Sequence, residues 1–136
     1  MTNCIFCKIV AGEISSTKIF ENEHVMAFLD IAPAVKGHTL VIPKKHSENI
    51  YDITKKDLQE VISAVQKVSK AAKKGLKADG VNILQSNESI AGQVVFHIHF
   101  HVFPRFNGDN KSFKWSRIEY KENEVKEVAD KIKNSL

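Results

Sequence analysis

Little cysteine, little proline and no long apolar run set the outer limits of this 136-residue sequence. Two cysteines, Cys4 and Cys7, are all it holds. In a reducing compartment such a pair reads as metal ligands or redox thiols rather than as a structural bridge. Three prolines and six glycines build no linker, and neither a repeat nor a low-complexity tract interrupts the chain. One domain over residues 1–136 is therefore expected, with a tail from about residue 107. Nothing approaches the roughly 18 apolar residues that a membrane span requires. Met1 to Val10 has no basic stretch leading into an apolar run, so no secretory leader and a cytoplasmic location are expected. Charge of one sign is not in strong excess: 20 Lys and Arg oppose 16 Asp and Glu, for a net +4. The lysines are scattered, which favours no nucleic-acid partner and fits equally well a basic rim that attracts small phosphates.

What is present is the composition of a globular chain, 43% hydrophobic and 26% charged, long enough for a real core. His24 to Leu29 and Thr39 to Ile42 read as strands, the second stopped by Pro43, and together as a hairpin with a long connection through Pro33 and Gly37. Leu58, Val61, Ile62, Val65, Val68 and Ala72 recur at helical spacing, predicting a helix over 57–74. Thr54 is its cap, with Asp57 three residues on, and Gly75 its natural stop. Val81 to Gln85 reads as another strand, and a second amphipathic helix is expected at about 122–133, carrying Val125, Val128, Ala129 and Ile132 on one stripe. Hairpin-like neighbours without a βαβ rhythm argue for an α+β fold with an antiparallel sheet.

The densest chemical signal lies in Val94 to Phe103. If this run is a strand, His97, His99 and His101 project to one side, while Phe96, Ile98, Phe100 and Val102 project to a core on the other. Same-face neighbours are spaced about 6.6 Å apart, so the outer two histidines lie roughly 13 Å apart and all three cannot hold one ion. A neutral imidazole is a competent nucleophile toward phosphorus near pH 7 without a strong base. Neighbouring imidazoles then steady phosphate oxygens or carry a proton to the leaving group.

The segment Gly92-Gln93-Val94-Val95-Phe96-His97-Ile98-His99-Phe100-His101-Val102 resembles the signature of the histidine triad (HIT) nucleotide hydrolases and transferases. Three further blocks match in order: Ile5-Phe6-Cys7-Lys8-Ile9, Ala27-Phe28-Leu29-Asp30-Ile31 and Gly37-His38-Thr39-Leu40-Val41-Ile42-Pro43-Lys44-Lys45-His46. The resemblance implies an antiparallel sheet of about five strands with two helices, extended across a homodimer. It implies that His99 is the nucleophile, forming a nucleotidyl–enzyme intermediate, with no metal required for the chemical step. His101 would bond phosphate oxygens, His38 would support that site and Gln93 would lie near the leaving group. Asp30 would bond ribose hydroxyls, Ile5, Phe6, Phe28 and Ile31 would wall the base, and Asn87 would contact the phosphate side. A purine nucleotide is the implied substrate.

Cys4-Ile5-Phe6-Cys7 has the two-residue gap that lets both thiolates hold one tetrahedral zinc, and the resemblance supplies His46 and His97 as the other ligands. That site would be structural and leave His99 free; two free buried thiols are the plainer alternative. Val94 stands where some relatives carry Ser, and the helix-forming tail resembles bacterial members more than the short Trp-containing end of the eukaryotic phosphoramidases. His24 reads as structural or exposed, Trp115 as a packing anchor or dimer contact, Lys44 and Lys45 as solvated surface, and Arg105 as a salt-bridge partner. The leading expectation is hydrolysis of nucleoside 5′-phosphoramidates or related mixed esters of AMP. A dinucleoside polyphosphate hydrolase, a nucleotide-binding module without catalysis, and an enzyme with a catalytic zinc on the His-x-His pair are the alternatives.

Overall fold

The computed structural model describes residues 3–136; Met1 and Thr2, where the leader reading begins, lie outside it. Among these residues are five strands: β1 (Lys18–Glu21), β2 (Val25–Leu29), β3 (Thr39–Pro43), β4 (Gly80–Leu84) and β5 (Phe100–Arg105). Every pairing is antiparallel, in the order β1-β2-β3-β5-β4. The expected hairpin is β2–β3, paired from Val25 opposite Pro43 to Leu29 opposite Thr39. Three α-helices accompany the sheet, α1 (Ile5–Val10), α2 (Lys55–Leu76) and α3 (Glu124–Lys133), so the α+β expectation holds with one helix more than anticipated.

Both faces of the central strands are covered, which is why those strands read as continuous apolar runs rather than as clean alternations. Val25, Ala27, Val41, Ile98, Phe100 and Val102 face Val61, Ala64, Val65 and Val68 of α2. Met26, Phe28, Leu40 and Ile42 form a second core with Phe6 and Ile9 of α1. The short α1 carries too few turns to announce itself by periodicity. It starts on the Cys4 thiol, which accepts the Cys7 N–H at 3.4 Å, so the first cysteine is also the helix cap.

Helix α2 begins as expected: the Thr54 hydroxyl oxygen accepts from the Asp57 N–H at 3.1 Å and its O–H donates to the Asp57 carboxylate at 2.9 Å. It does not stop at Gly75. The turn closes instead at Lys77, whose φ is +55°, where the N–H of buried Ala78 donates to the Lys73 carbonyl. At Gly37 the backbone does require glycine, because its φ is +86° and a Cβ there would lie 2.5 Å from Leu76 and 3.1 Å from Pro104. The apolar stripe of α3 is covered only in part: Val128 and Ala129 are half-buried, while Val125 and Ile132 are exposed. Trp115 is 82% exposed and so is no packing anchor among the described residues.

The His-rich run departs most from expectation. Only Phe100 onward is strand; residues 94–99 are irregular. The β3–β5 ladder ends at Val41 opposite Phe100, just before Pro43, which has no N–H with which to extend it. Beyond that point the chain bends. The Ile98 N–H reaches the Ser47 carbonyl at 2.8 Å, His97 turns away into its own buried niche, and Phe96 is 41% exposed rather than part of the core.

Candidate functional site

The bend divides the histidines between two clusters. In the first, Pro43 decides the chemistry. Its carbonyl can only accept, so His97 donates Nε2–H to it at 2.8 Å and keeps the lone pair on Nδ1. That nitrogen lies 3.2 Å from His46 Nδ1, 3.4 Å from Cys4 Sγ and 3.6 Å from Cys7 Sγ, with Cys7 Sγ 3.5 Å from His46 Nδ1. Zinc–sulfur bonds of about 2.3 Å and zinc–nitrogen bonds of about 2.0 Å at tetrahedral angles place N and S roughly 3.5 Å apart. The four donors fit such an ion, two from the first turn of α1, one from the loop after β3 and one from the bend. Burial drives His97 down to about 4 and raises the Cys7 thiol, with Cys4 adding to the latter. The neutral imidazole is the ligating form, and a cation bound there would favour the thiolates.

The second cluster is wired by protons instead. The Ala34 N–H donates to His38 Nδ1 at 3.1 Å, so neutral His38 carries its proton on Nε2. That N–H faces His101 Nδ1 at 2.9 Å, which leaves the His101 proton on Nε2. The Asp30 carboxylate stands 3.7 Å from His38 Nε2. Asp30, His38 and His101 lie close enough to hold an ion, yet ligation through His38 Nε2 would move its proton to Nδ1 and break the Ala34 bond. His99 is set by the same logic. Its Nδ1 donates to the His97 carbonyl at 2.8 Å, so the lone pair is on Nε2, which has no hydrogen-bond partner among the described residues.

Burial pushes all three imidazoles below the ordinary range. His101 falls to about 4, with His99 and His38 contributing, while Asp30 opposes the shift on each of the three. The neutral forms, one an acceptor and the other donors, are therefore the resting state. His99 and His101 open on a cavity of about 390 Å³ that is also lined by Phe6, Asp30, Ala32, Leu40, Gly92, Val94 and Val95. The edge of Phe6 rests on the His99 ring at 5.2 Å and on Phe28 at 5.6 Å.

Of the residues singled out from sequence, Asp30, His99, His101 and Phe6 meet in this cavity, with His38 behind them and Phe28 behind Phe6. Ile31 is 97% exposed beside it, and Ile5 lines a different hollow with Cys4, His46 and Phe96. Gln93 is buried and committed, accepting from the Glu88 N–H and donating to the Glu48 and Val95 carbonyls. Asn87 is held by the Ile50 N–H and by a reciprocal amide pair with Gln85. Neither lines the cavity in this conformation. Lys44 is not simply solvated but pairs with Glu21 at 2.7 Å, and Arg105 forks onto Asp109 at 2.8 Å as a salt-bridge partner should. The sequence reading missed Ala34, because a backbone N–H leaves no side-chain signature.

Comparison with known proteins agrees with this geometry. A crystal structure of a HIT family member from Bacillus subtilis superposes with a TM-score of 0.93 at 43% identity, covering 98% of this chain and 97% of that one. A zinc-bound histidine triad protein from Mycobacterium smegmatis matches with a TM-score of 0.79 at 37% identity, over 99% of each chain. Among sequences, the adenosine 5′-monophosphoramidase hnt1 of Schizosaccharomyces pombe is 37% identical over 98% of both chains. Among the described residues no helix is long and apolar enough to cross a membrane. The HIT domain model matches residues 11–108, and with its alternating histidines divided between two clusters the chain belongs to the HIT domain family.

Proposed function

We propose that the protein hydrolyses nucleoside 5′-phosphoramidates or related mixed esters of AMP through a covalent nucleotidyl–histidine intermediate. The observation that carries this reading is the tautomer of His99: a buried imidazole with Nδ1–H tied to a backbone carbonyl and a free Nε2 lone pair in the cavity. Nε2 attacks the α-phosphorus and the phosphorus–nitrogen bond to the leaving amine breaks, with a proton passing to that amine. Water then attacks the same phosphorus, releasing AMP and restoring His99. His101 donates Nε2–H to a phosphoryl oxygen, which His38 enforces by occupying Nδ1. Asp30 is placed for ribose hydroxyls and Phe6 for one face of the base. With Gln93 and Asn87 already engaged, they serve the phosphate and leaving-group side through the loop they brace. No Lys or Arg lines the cavity among the described residues, which favours a singly charged phosphoryl group over a polyphosphate.

Zinc is the ion proposed for Cys4, Cys7, His46 and His97, where it would tie α1 to the bend. A cytoplasmic homodimer completes the reading, its dimer part supported by the exposed Val125, Ile132 and Trp115. The test is AMP release from adenosine 5′-phosphoramidate by the parent and by His99→Ala. Turnover by the parent and a loss of about 10³-fold or more in the variant are expected. No release by the parent would remove the phosphoramidase assignment, and equal release would remove His99 as nucleophile.

A further inference from the structure

A row of aromatic rings continues from the catalytic face into the C-terminal arm, and the proposed chemistry does not use it. Phe103 follows His101 by two residues on β5 and so shares its face. The two rings are parallel within 3°, with centroids 5.4 Å apart. Phe103 also meets His38, at 4.3 Å and 36°. One buried phenyl ring, 5% exposed, therefore contacts both partners of the 2.9 Å His38–His101 hydrogen bond. That bond exists only if both imidazole planes are held, because its donor and acceptor are ring nitrogens pointing along fixed directions.

Phe103 is in turn buttressed from outside. Phe113 of the arm lies 5.2 Å from it, and the Arg105 guanidinium sits 5.5 Å over Phe113. Arg105 is itself clamped. It forks onto Asp109 with two bonds of 2.8 Å, reaches Asn82 at 2.8 Å and donates to the Lys111 carbonyl at 2.6 Å. Phe103, Phe113 and Arg105 share a small hollow with Ala34 and Val35, and Ala34 supplies the N–H that fixes the His38 tautomer. The root of the arm thus meets the ring that stacks on the pair and the strand that bears His101, and it shares a hollow with the loop that supplies the Ala34 N–H.

We propose that Phe103, backed by Phe113 and Arg105, is a positioning residue for the His38–His101 pair, and that the root of the C-terminal arm is a working part of the catalytic centre. The kinetic consequence rests on the function proposed above, whereas the tautomer consequence does not. An imidazole freed from its neighbour exchanges Nε2–H for Nδ1–H, and a ring that tips presents its donor in the wrong direction. Misplacement of that kind lowers turnover more than affinity.

The experiment compares the parent with Phe103→Ala, Phe103→Leu and Phe113→Ala. Nitrogen-15 spectra of the histidine side chains are recorded at neutral pH without ligand, alongside melting curves and kcat and KM on adenosine 5′-phosphoramidate. The parent should show one tautomer at His101, protonated on Nε2. Phe103→Ala should show mixed tautomers and lose about tenfold or more in kcat, with KM within about threefold. Phe103→Leu should recover much of the melting temperature but not the single tautomer, because it fills volume without offering a flat face. Phe113→Ala, farther out and half-exposed, should move both readouts in the same direction by less, and it carries the test if Phe103→Ala does not fold. A folded Phe103→Ala, or a Phe113→Ala standing in for it, that keeps the single His101 tautomer would overturn the proposal. Should the parent release no AMP, the spectra alone decide the positioning role, separately from the function.

Discussion

Two histidine-bearing clusters stand side by side, each drawing on the same bent segment, and their proton positions separate them. Around His97 and His46 the nearest ring nitrogens are 3.2 Å apart; between His38 and His101 they are 2.9 Å apart. By distance alone the two could be taken for the same site. In the first, the Pro43 carbonyl takes the His97 proton, so the His97 lone pair faces His46 Nδ1 and the two sulfurs, a donor set suited to a cation. In the second, the Ala34 N–H takes the His38 lone pair, so a proton bridges the rings and the chain ends on a donor. One backbone acceptor and one backbone donor thus set which ring nitrogen faces its neighbours, and the proposed zinc site and the proposed proton-sharing pair rest on that difference.

Removing the clamp should have the largest effect. Cys4→Ser with Cys7→Ser is expected to abolish stoichiometric zinc and to lower the melting temperature on the order of 10 °C, because metal binding and folding share one free energy. Metal analysis and calorimetry check it; full zinc content in that variant would break the contrast. Next comes the relay: His101→Ala should cost about 10²-fold in kcat/KM, the scale of one lost transition-state donor, with zinc content unchanged. Loss of metal in that variant would mean that the clusters are one unit.

The pH dependence sharpens the same point by a smaller margin. Burial holds His38 and His101 below their usual 6.5, His101 at about 4. The unfolded chain therefore binds protons first as pH falls. The stability contributed by the neutral pair is full above 6.5 and is lost as pH drops through the folded value. A rate profile should stay level through 6.5 and fall only nearer 4; an acid limb centred on 6.5 would show the relay to be solvated. Smallest of all, Thr54→Ala removes the α2 cap and should cost about 1 kcal/mol in denaturant unfolding, while zinc content and turnover hold. It sets the baseline for damage that reaches neither cluster.

How much of this was legible beforehand depended on the range of the cause. Helix α2 and its Thr54 cap, the β2–β3 hairpin and strand β4 were all readable, since periodicity, capping and turn residues are local. Both histidine-bearing sets were readable as residues too, through spacing and family resemblance. The six-residue α1, the short edge strand β1 and the end of α2 at Lys77 rather than Gly75 were not, because packing and a buried Ala78 decided them.

Residue chemistry and pattern, by themselves, determined an α+β chain with a Cys pair, three alternating histidines and an apolar framework to carry them. Tertiary structure alone decided that the alternation breaks at His97. A proline 54 residues upstream on the neighbouring strand has no N–H to continue the ladder, and its carbonyl claims the imidazole instead. It also decided which nitrogen of each ring bears the proton, since that depends on backbone groups from loops that only the fold brings within reach.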